Sequence, residues 1–206
     1  MFYVLESPIS EFANPAVTDF LMEDGFRTGD APRCPVCGGV VGMLTWLPPF
    51  RVEIECFGKL HGDIAFGTAE MLVTERFIDL FKKEGLTGLD VLGRAHVSKI
   101  VPKAMGRNMP KYYVTRVVRS RTSVDHEASG IEYEEPWTCG DCKVGLWIRL
   151  RQLVIKQETW QGEDLFVARD LPGICVASQR FSDWCIKYEI KNANLIEASN
   201  FTRDYS

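Results

Sequence analysis

Cys34-Pro-Val-Cys37-Gly38-Gly39 and Cys139-Gly-Asp-Cys142 are the residues of this chain whose types and spacing best suit chemistry. A Cys-x-x-Cys turn presents two thiolates on one side, where backbone N–H groups of the turn can hydrogen-bond the sulfurs. Two such pairs supply the four ligands of a tetrahedral Zn²⁺ site, with Cys34, Cys37, Cys139 and Cys142 as the candidates. Such a site is structural, because no coordination position is left for a substrate. The pairs begin 105 positions apart. That exceeds the ~15–20 residues between the pairs of an ordinary zinc ribbon, so a subdomain must loop out between them. Gly38 permits a tight knuckle after the first pair, whereas Lys143 occupies the matching place after the second.

Other fates for these thiols stay open on the sequence. Pro35 inside the first pair suits a redox dithiol, but redox pairs normally close a strand and open a helix, which Gly38-Gly39 disfavours. Cys56 and His61, on either side of Gly58, are further candidate ligands. Cys175 and Cys185 lie in apolar stretches and suit a buried core. Seven cysteines in all is an odd count, unlike the even number of a small secreted disulfide framework.

Catalytic patterns are not found. His61, His96 and His126 have no nucleophile or carboxylate at a recognised motif spacing, and no phosphate-cradling Gly-rich loop or His-Glu-x-x-His helix occurs. Glu132, Glu134 and Glu135 fit a solvated strand edge better than an acid/base pair. The chain is therefore expected not to be an enzyme. With 206 residues, 46% hydrophobic and 25% charged, its composition is that of a folded protein. A formal charge of −4 disfavours a general polyanion binder. No apolar run approaches the ~20 residues of a membrane span, and the start Met1-Phe-Tyr-Val-Leu-Glu-Ser-Pro lacks the marks of a secretory signal. A cytoplasmic location without membrane contact is expected.

The elements that must position the cysteines can be read in outline. A strand is expected at the N-terminus and a short helix near Pro15 to Met22. Strands are expected over Val40 to Leu47 and Arg51 to Phe57, separated by Pro48-Pro49. Val52, Ile54 and Cys56 alternate with charged residues at the period of a half-buried strand. Met71-Leu-Val73 is followed by Thr74, a helix cap, and Phe77, Leu80 and Phe81 form one helical stripe that Gly85 stops. Ile174-Cys-Val-Ala177 and the cap Ser178 precede a second stripe of Phe181, Trp184, Cys185 and Tyr188. Thr74-Glu-Arg-Phe77 matches Ser178-Gln-Arg-Phe181, with Asp79 and Asp183 at the same offset. These features suggest a single α+β domain over residues 1–206. It would have mixed and antiparallel sheets, a few amphipathic helices, and two diverged pseudo-repeats, roughly residues 30–100 and 135–200. A zinc-ribbon-like pair of knuckles would join the repeats. The alternative is that any strand, cap and helix look alike.

The double Cys-x-x-Cys pattern, with the strand Phe2-Tyr-Val-Leu5, Thr74-Glu-Arg-Phe77 and Leu171-Pro-Gly173 followed by Arg180-Phe181, resembles the double-CxxCG paralogous family of myxobacteria. Some of its members are described as Sit-type immunity proteins. The likeness runs over most of the chain, and Lys143 departs from it where the motif implies Gly. The resemblance implies an immunity protein that binds and blocks a cognate toxin exchanged between sibling bacterial cells.

Charge is segregated along the chain. Arg94 to Arg121 holds eight Lys or Arg and no acid, and Asp125 to Glu135 holds five carboxylates. The acidic stretch, with Glu132, Tyr133, Glu134, Glu135 and Trp137, is the candidate partner surface, because aromatic residues anchor interfaces and acids steer basic partners. The competing function is a zinc-ribbon protein that binds nucleic acid through residues 94–121, stacking bases on Tyr112 and Tyr113. Both charge runs also fit ordinary solvated faces.

Overall fold

A computed structural model describes residues 1–8, 16–67 and 70–205. Strands β1 (Phe2–Glu6), β2 (Thr18–Met22), β3 (Arg27–Thr28), β4 (Trp46–Leu47), β5 (Arg51–Cys56), β6 (Ile64–Phe66) and β7 (Met71–Thr74) precede helix α1 (Glu75–Lys83). Then come β8 (Leu89–Arg94), β9 (His96–Val101), a 3-10 segment over Lys103–Asn108, β10 (Tyr112–Val117), β11 (Glu132–Glu135) and β12 (Leu146–Leu150). The last part is β13 (Leu165–Val167), β14 (Cys175–Ser178), helix α2 (Gln179–Lys187), β15 (Asn194–Glu197) and β16 (Arg203–Asp204). The fold is α+β, with mostly antiparallel sheets and parallel pairings at β2–β6 and β5–β9. Among the described residues no helix is long and apolar enough to cross a membrane.

Two sequence expectations are corrected. Residues Thr18–Met22 form a strand, not a helix: Thr18 and Phe20 turn inward with a period of two, and Phe20 pairs with Ile54 of β5. Pro15, where that helix was expected to begin, lies outside the described residues. Of Val40 to Leu47 only Trp46–Leu47 is a strand, because Val40 bridges singly to Arg33 and Val41 N–H donates to Pro32, closing the cysteine turn.

Both helices start as their side chains dictate. The Thr74 hydroxyl accepts from Phe77 N–H and that of Ser178 from Phe181 N–H, each at 3.2 Å. After α1, Gly85 takes φ +68°, and Glu189 holds the matching place after α2 at φ +49°. Behind each cap sits a buried aspartate. Asp63 accepts from the Thr74 hydroxyl (2.9 Å), Arg76 (2.6 Å) and Lys191 N–H (3.0 Å). Asp164 accepts from the Ser178 hydroxyl (3.0 Å), Arg180 (3.2 Å) and Thr87 N–H (2.9 Å). The arginines then cross over. Arg76 donates to the carbonyl of Tyr188 at the end of α2, and Arg180 to that of Glu84 at the end of α1, both at 2.6 Å.

The strands around the helices correspond in the same way. The order β8-β10-β7-β6 within the seven-stranded sheet is matched by β15-β1-β14-β13, the whole of the four-stranded sheet. Tyr112 pairs with Thr74, and Phe2 with Ser178. The Tyr113 hydroxyl donates to Glu75 and the Tyr3 hydroxyl to Gln179, which hold equivalent places on α1 and α2. Tyr112-Tyr-Val114 and Phe2-Tyr-Val4 thus fill equivalent positions, each against the cap strand of the opposite half of the chain. Between the sheets, Phe77, Phe81, Phe181 and Trp184 share one core with Leu5, Ile64, Val73 and Leu165. The Phe77 and Trp184 rings meet edge to face at 5.1 Å.

The buried carboxylates, not their half-exposed arginines, should dominate the energetics. Asp164→Ala is expected to cost about 3 kcal/mol in urea unfolding, because it orphans buried donors and breaks an ion pair. Arg180→Ala leaves that buried carboxylate without its counter-charge but with its Ser178 and Thr87 hydrogen bonds, and should cost less, about 2 kcal/mol. Equal losses from both variants would contradict this ranking.

Candidate metal centre and partner surface

The two cysteine turns are built alike and meet. Gly38 N–H donates to the Cys34 carbonyl (2.9 Å) and Lys143 N–H to the Cys139 carbonyl (3.1 Å). The donor in each turn is left-handed, at φ +72° for Gly38 and +49° for Lys143. Lys143 therefore adopts the knuckle geometry that glycine would supply without strain. Val41 packs with Cys34 and Cys142 in a small apolar cluster beneath the turns.

The Sγ atoms of Cys34, Cys37, Cys139 and Cys142 all lie within 4.8 Å of one another. Cys34 is 4.0 Å from Cys139, and Cys37 is 3.9 Å from Cys142. A tetrahedron with ~2.3 Å metal–sulfur bonds has edges of about 3.8 Å, whereas a disulfide needs ~2.05 Å. All four are free thiols, and the spacing fits one ion held between two turns. Backbone N–H groups serve the sulfurs. That of Gly39 points at Cys37 (3.4 Å), and those of Cys142 and Asp141 draw the Cys139 thiol down to about 7. Arg33 fastens the first turn through the Gly38 carbonyl (2.9 Å), and Arg169 stands 3.8 Å from the Asp141 carboxylate of the second.

The remaining cysteines fall elsewhere. Cys56 meets the His61 Nδ1 at 3.6 Å, while His61 Nε2 donates to the Met105 carbonyl (3.0 Å). Burial holds that imidazole below its ordinary pKa and the Cys56 thiol above its own. The pair is a packed hydrogen-bonding contact, and among the described residues no third ligand joins it. Burial alone pushes Cys175 up to about 12, and it also raises Cys185, so both are inert core thiols.

The end of the acidic stretch, Glu132–Glu135, forms β11, an outer strand of the three-stranded sheet β11-β12-β16. Glu132 is ion-paired with Arg149 (2.9 Å) and Arg151 (2.8 Å), and its carboxyl lies below the usual range through the Arg151 hydrogen bond and then the guanidinium charges. Asp125 caps the following turn by accepting from Ala128 N–H. Glu127, Glu134 and Glu135 stay exposed. Tyr133 and Trp137 are half-buried around His126: the Trp137 ring is 4.6 Å from the imidazole, edge on, and Tyr133 stacks on it at 5.9 Å. His126 Nε2 meets buried Asp170 at 3.0 Å, and its Nδ1 meets the Tyr133 hydroxyl at 2.7 Å. With Nε2 donating to the carboxylate, Nδ1 accepts from the hydroxyl, which fixes Tyr133, and the Trp137 ring packs against both. Sequence spacing could not reveal this, since Asp170 lies 44 positions from His126.

Part of the basic stretch is tied down by ion pairs. Lys99 pairs with Glu53, Lys111 with Glu75 and Arg116 with Glu70. Tyr112 is buried, with its hydroxyl on the Gly62 carbonyl (2.9 Å), so it has no face to offer a nucleobase.

The model of an immunity protein family, Imm11, matches residues 48–200. The chain belongs to that family. No curated protein matches it.

The left-handed Lys143 yields a direct test. Replacing a non-glycine residue at positive φ removes ~1–2 kcal/mol of strain, against ~0.5–1 kcal/mol of added chain entropy. Lys143→Gly should therefore raise the unfolding free energy by about 0.5 kcal/mol in denaturant titration, whereas Gly38→Ala should lower it. A destabilised Lys143→Gly would show that the lysine side chain itself supports the knuckle.

Proposed function

We propose that this chain is a cytoplasmic immunity protein that binds and neutralises one cognate toxin exchanged between sibling bacterial cells. Its membership of an immunity protein family carries the reading. The myxobacterial, Sit-type character is the finer part of the proposal and rests on the double Cys-x-x-Cys pattern. Neutralisation is by binding, not by chemistry. The partner meets the edge formed by Glu132, Tyr133, Glu134, Glu135 and Trp137. Exposed Glu134 and Glu135 steer a basic toxin surface, and Tyr133 and Trp137, held by His126, are preorganised anchors. Glu132 takes a positioning part through its arginines.

Co-expression with the adjacent toxin reading frame should restore growth and yield a complex that copurifies. Trp137→Ala should weaken that complex by about 2 kcal/mol or more. Continued killing with no complex would remove the reading.

The four cysteines hold one structural Zn²⁺. In that role the ion fixes the two turns and supplies no reaction; the thiolates bind it, and the N–H groups of Gly39, Asp141 and Cys142 stabilise their charge. Elemental analysis should find one zinc per chain. Cys142→Ser should lose it and lower the melting temperature, whereas Cys175→Ser should keep it. Metal-free protein of unchanged stability would refute the assignment.

A further inference from the structure

A cavity of about 600 Å³ opens beside the cap of α1, between Asp63, the 3-10 segment Lys103–Asn108 and Lys191. Five cations line it against two carboxylates. Both carboxylates are already engaged, Asp63 by Arg76 and Glu75 by Lys111. Among the described residues no carboxylate pairs with Lys59, Arg107 or Lys191, so three positive charges converge without compensation in a chain whose formal charge is −4. Leu60, Met105 and Pro110 are its apolar lining. His61 anchors the 3-10 segment through the Met105 carbonyl, and burial holds its imidazole below the ordinary pKa.

The matched junction around Asp164 provides an internal control. Its frame is complete with Arg180 alone. Thr87 stands where Lys191 stands, donating its N–H to the aspartate in the same way. Met1 precedes Phe2 where Lys111 precedes Tyr112, and Gln179 takes the place of Glu75. The cap, the buried aspartate and the crossed arginine thus fold without these lysines, so the side chains of Lys111 and Lys191 are not required by the frame they surround. Like charges held together oppose folding unless something offsets them.

We propose that this cavity is a binding site for a small diphosphate-bearing ligand. The volume is that of a small-molecule pocket. A diphosphate group carries a charge close to −3 near neutral pH, which the three unpaired cations match. Arg107 supplies a planar fork for two phosphate oxygens, Lys59 and Lys191 act as point charges, and the apolar lining takes the remainder of the molecule. The inference stands apart from toxin binding, which is assigned to β11 and Trp137.

Calorimetric titration of the full chain with inorganic pyrophosphate at low ionic strength tests it. One saturable site per chain is expected, weakening as salt rises. Arg107→Gln with Lys191→Gln should weaken it about tenfold or more. Both residues are exposed, so the melting temperature should hold. Lys82→Gln with Lys83→Gln, on the exposed end of α1 outside the cavity, should bind as the parent does. Absence of saturable binding, equal loss in the control variant, or equally tight binding of citrate would overturn the proposal.

Discussion

Two buried carboxylates govern this molecule. An aspartate excluded from water must have its charge and lone pairs satisfied by the protein, and Asp63 and Asp164 each do so by taking a cap hydroxyl, a guanidinium and a loop N–H. The hydroxyl and the arginine come from one helix start, and the loop N–H comes from the far half of the chain. The hydroxyl fixes where a helix begins, and the loop N–H fixes where the chain leaves the other helix. The arginine continues to the last carbonyl of that other helix. The two helices are therefore positioned by reciprocal contacts, and their aromatic faces close into one core. The first strand of each half lies against the cap strand of the other, at Phe2 with Ser178 and at Tyr112 with Thr74.

The cysteine turns close a second link between the same halves. Cys34 and Cys139 are 105 positions apart in sequence and 4.0 Å apart in space. An ion held there would close that long loop and remove a large part of the unfolded chain's freedom. Such a scaffold suits a protein whose work is to hold a surface still. At β11 the surface is held by the chain Asp170, His126 and Tyr133, with Trp137 against the imidazole. If the proposed partner meets this edge, ordering these side chains beforehand lowers the entropy lost on binding.

Much of this was legible in the residues, and the exceptions have physical reasons. The caps Thr74 and Ser178, the stripes behind them and the Cys-x-x-Cys pairs are local patterns, and local patterns can be read. Pro15 to Met22 reads as helical because so short a run has no unique period, and pairing with β5 makes Thr18–Met22 a strand. Val40 to Leu47 has strand-like residues, but the demand of the first cysteine turn on Val40 and Val41 outweighs that propensity. Asp63 and Asp164 were not legible. No fixed motif spacing links them to the cap hydroxyls and arginines 11 to 16 positions on, and the loop N–H groups lie much farther away. The same holds for Asp170 beside His126. Tyr112 looked like a stacking residue until its burial became evident. Lys143 departs from the expected glycine in type but not in backbone geometry.

Neutralisation by stoichiometric binding is the central claim, and titration of purified toxin with purified protein examines it most directly. Toxin activity should fall in proportion to added protein and reach zero at one chain per toxin. The protein should be recoverable unchanged from the complex. Complete loss of toxin activity at a small fraction of one equivalent would reveal catalysis, and undiminished activity in excess protein would reveal no binding. Either result would contradict the account.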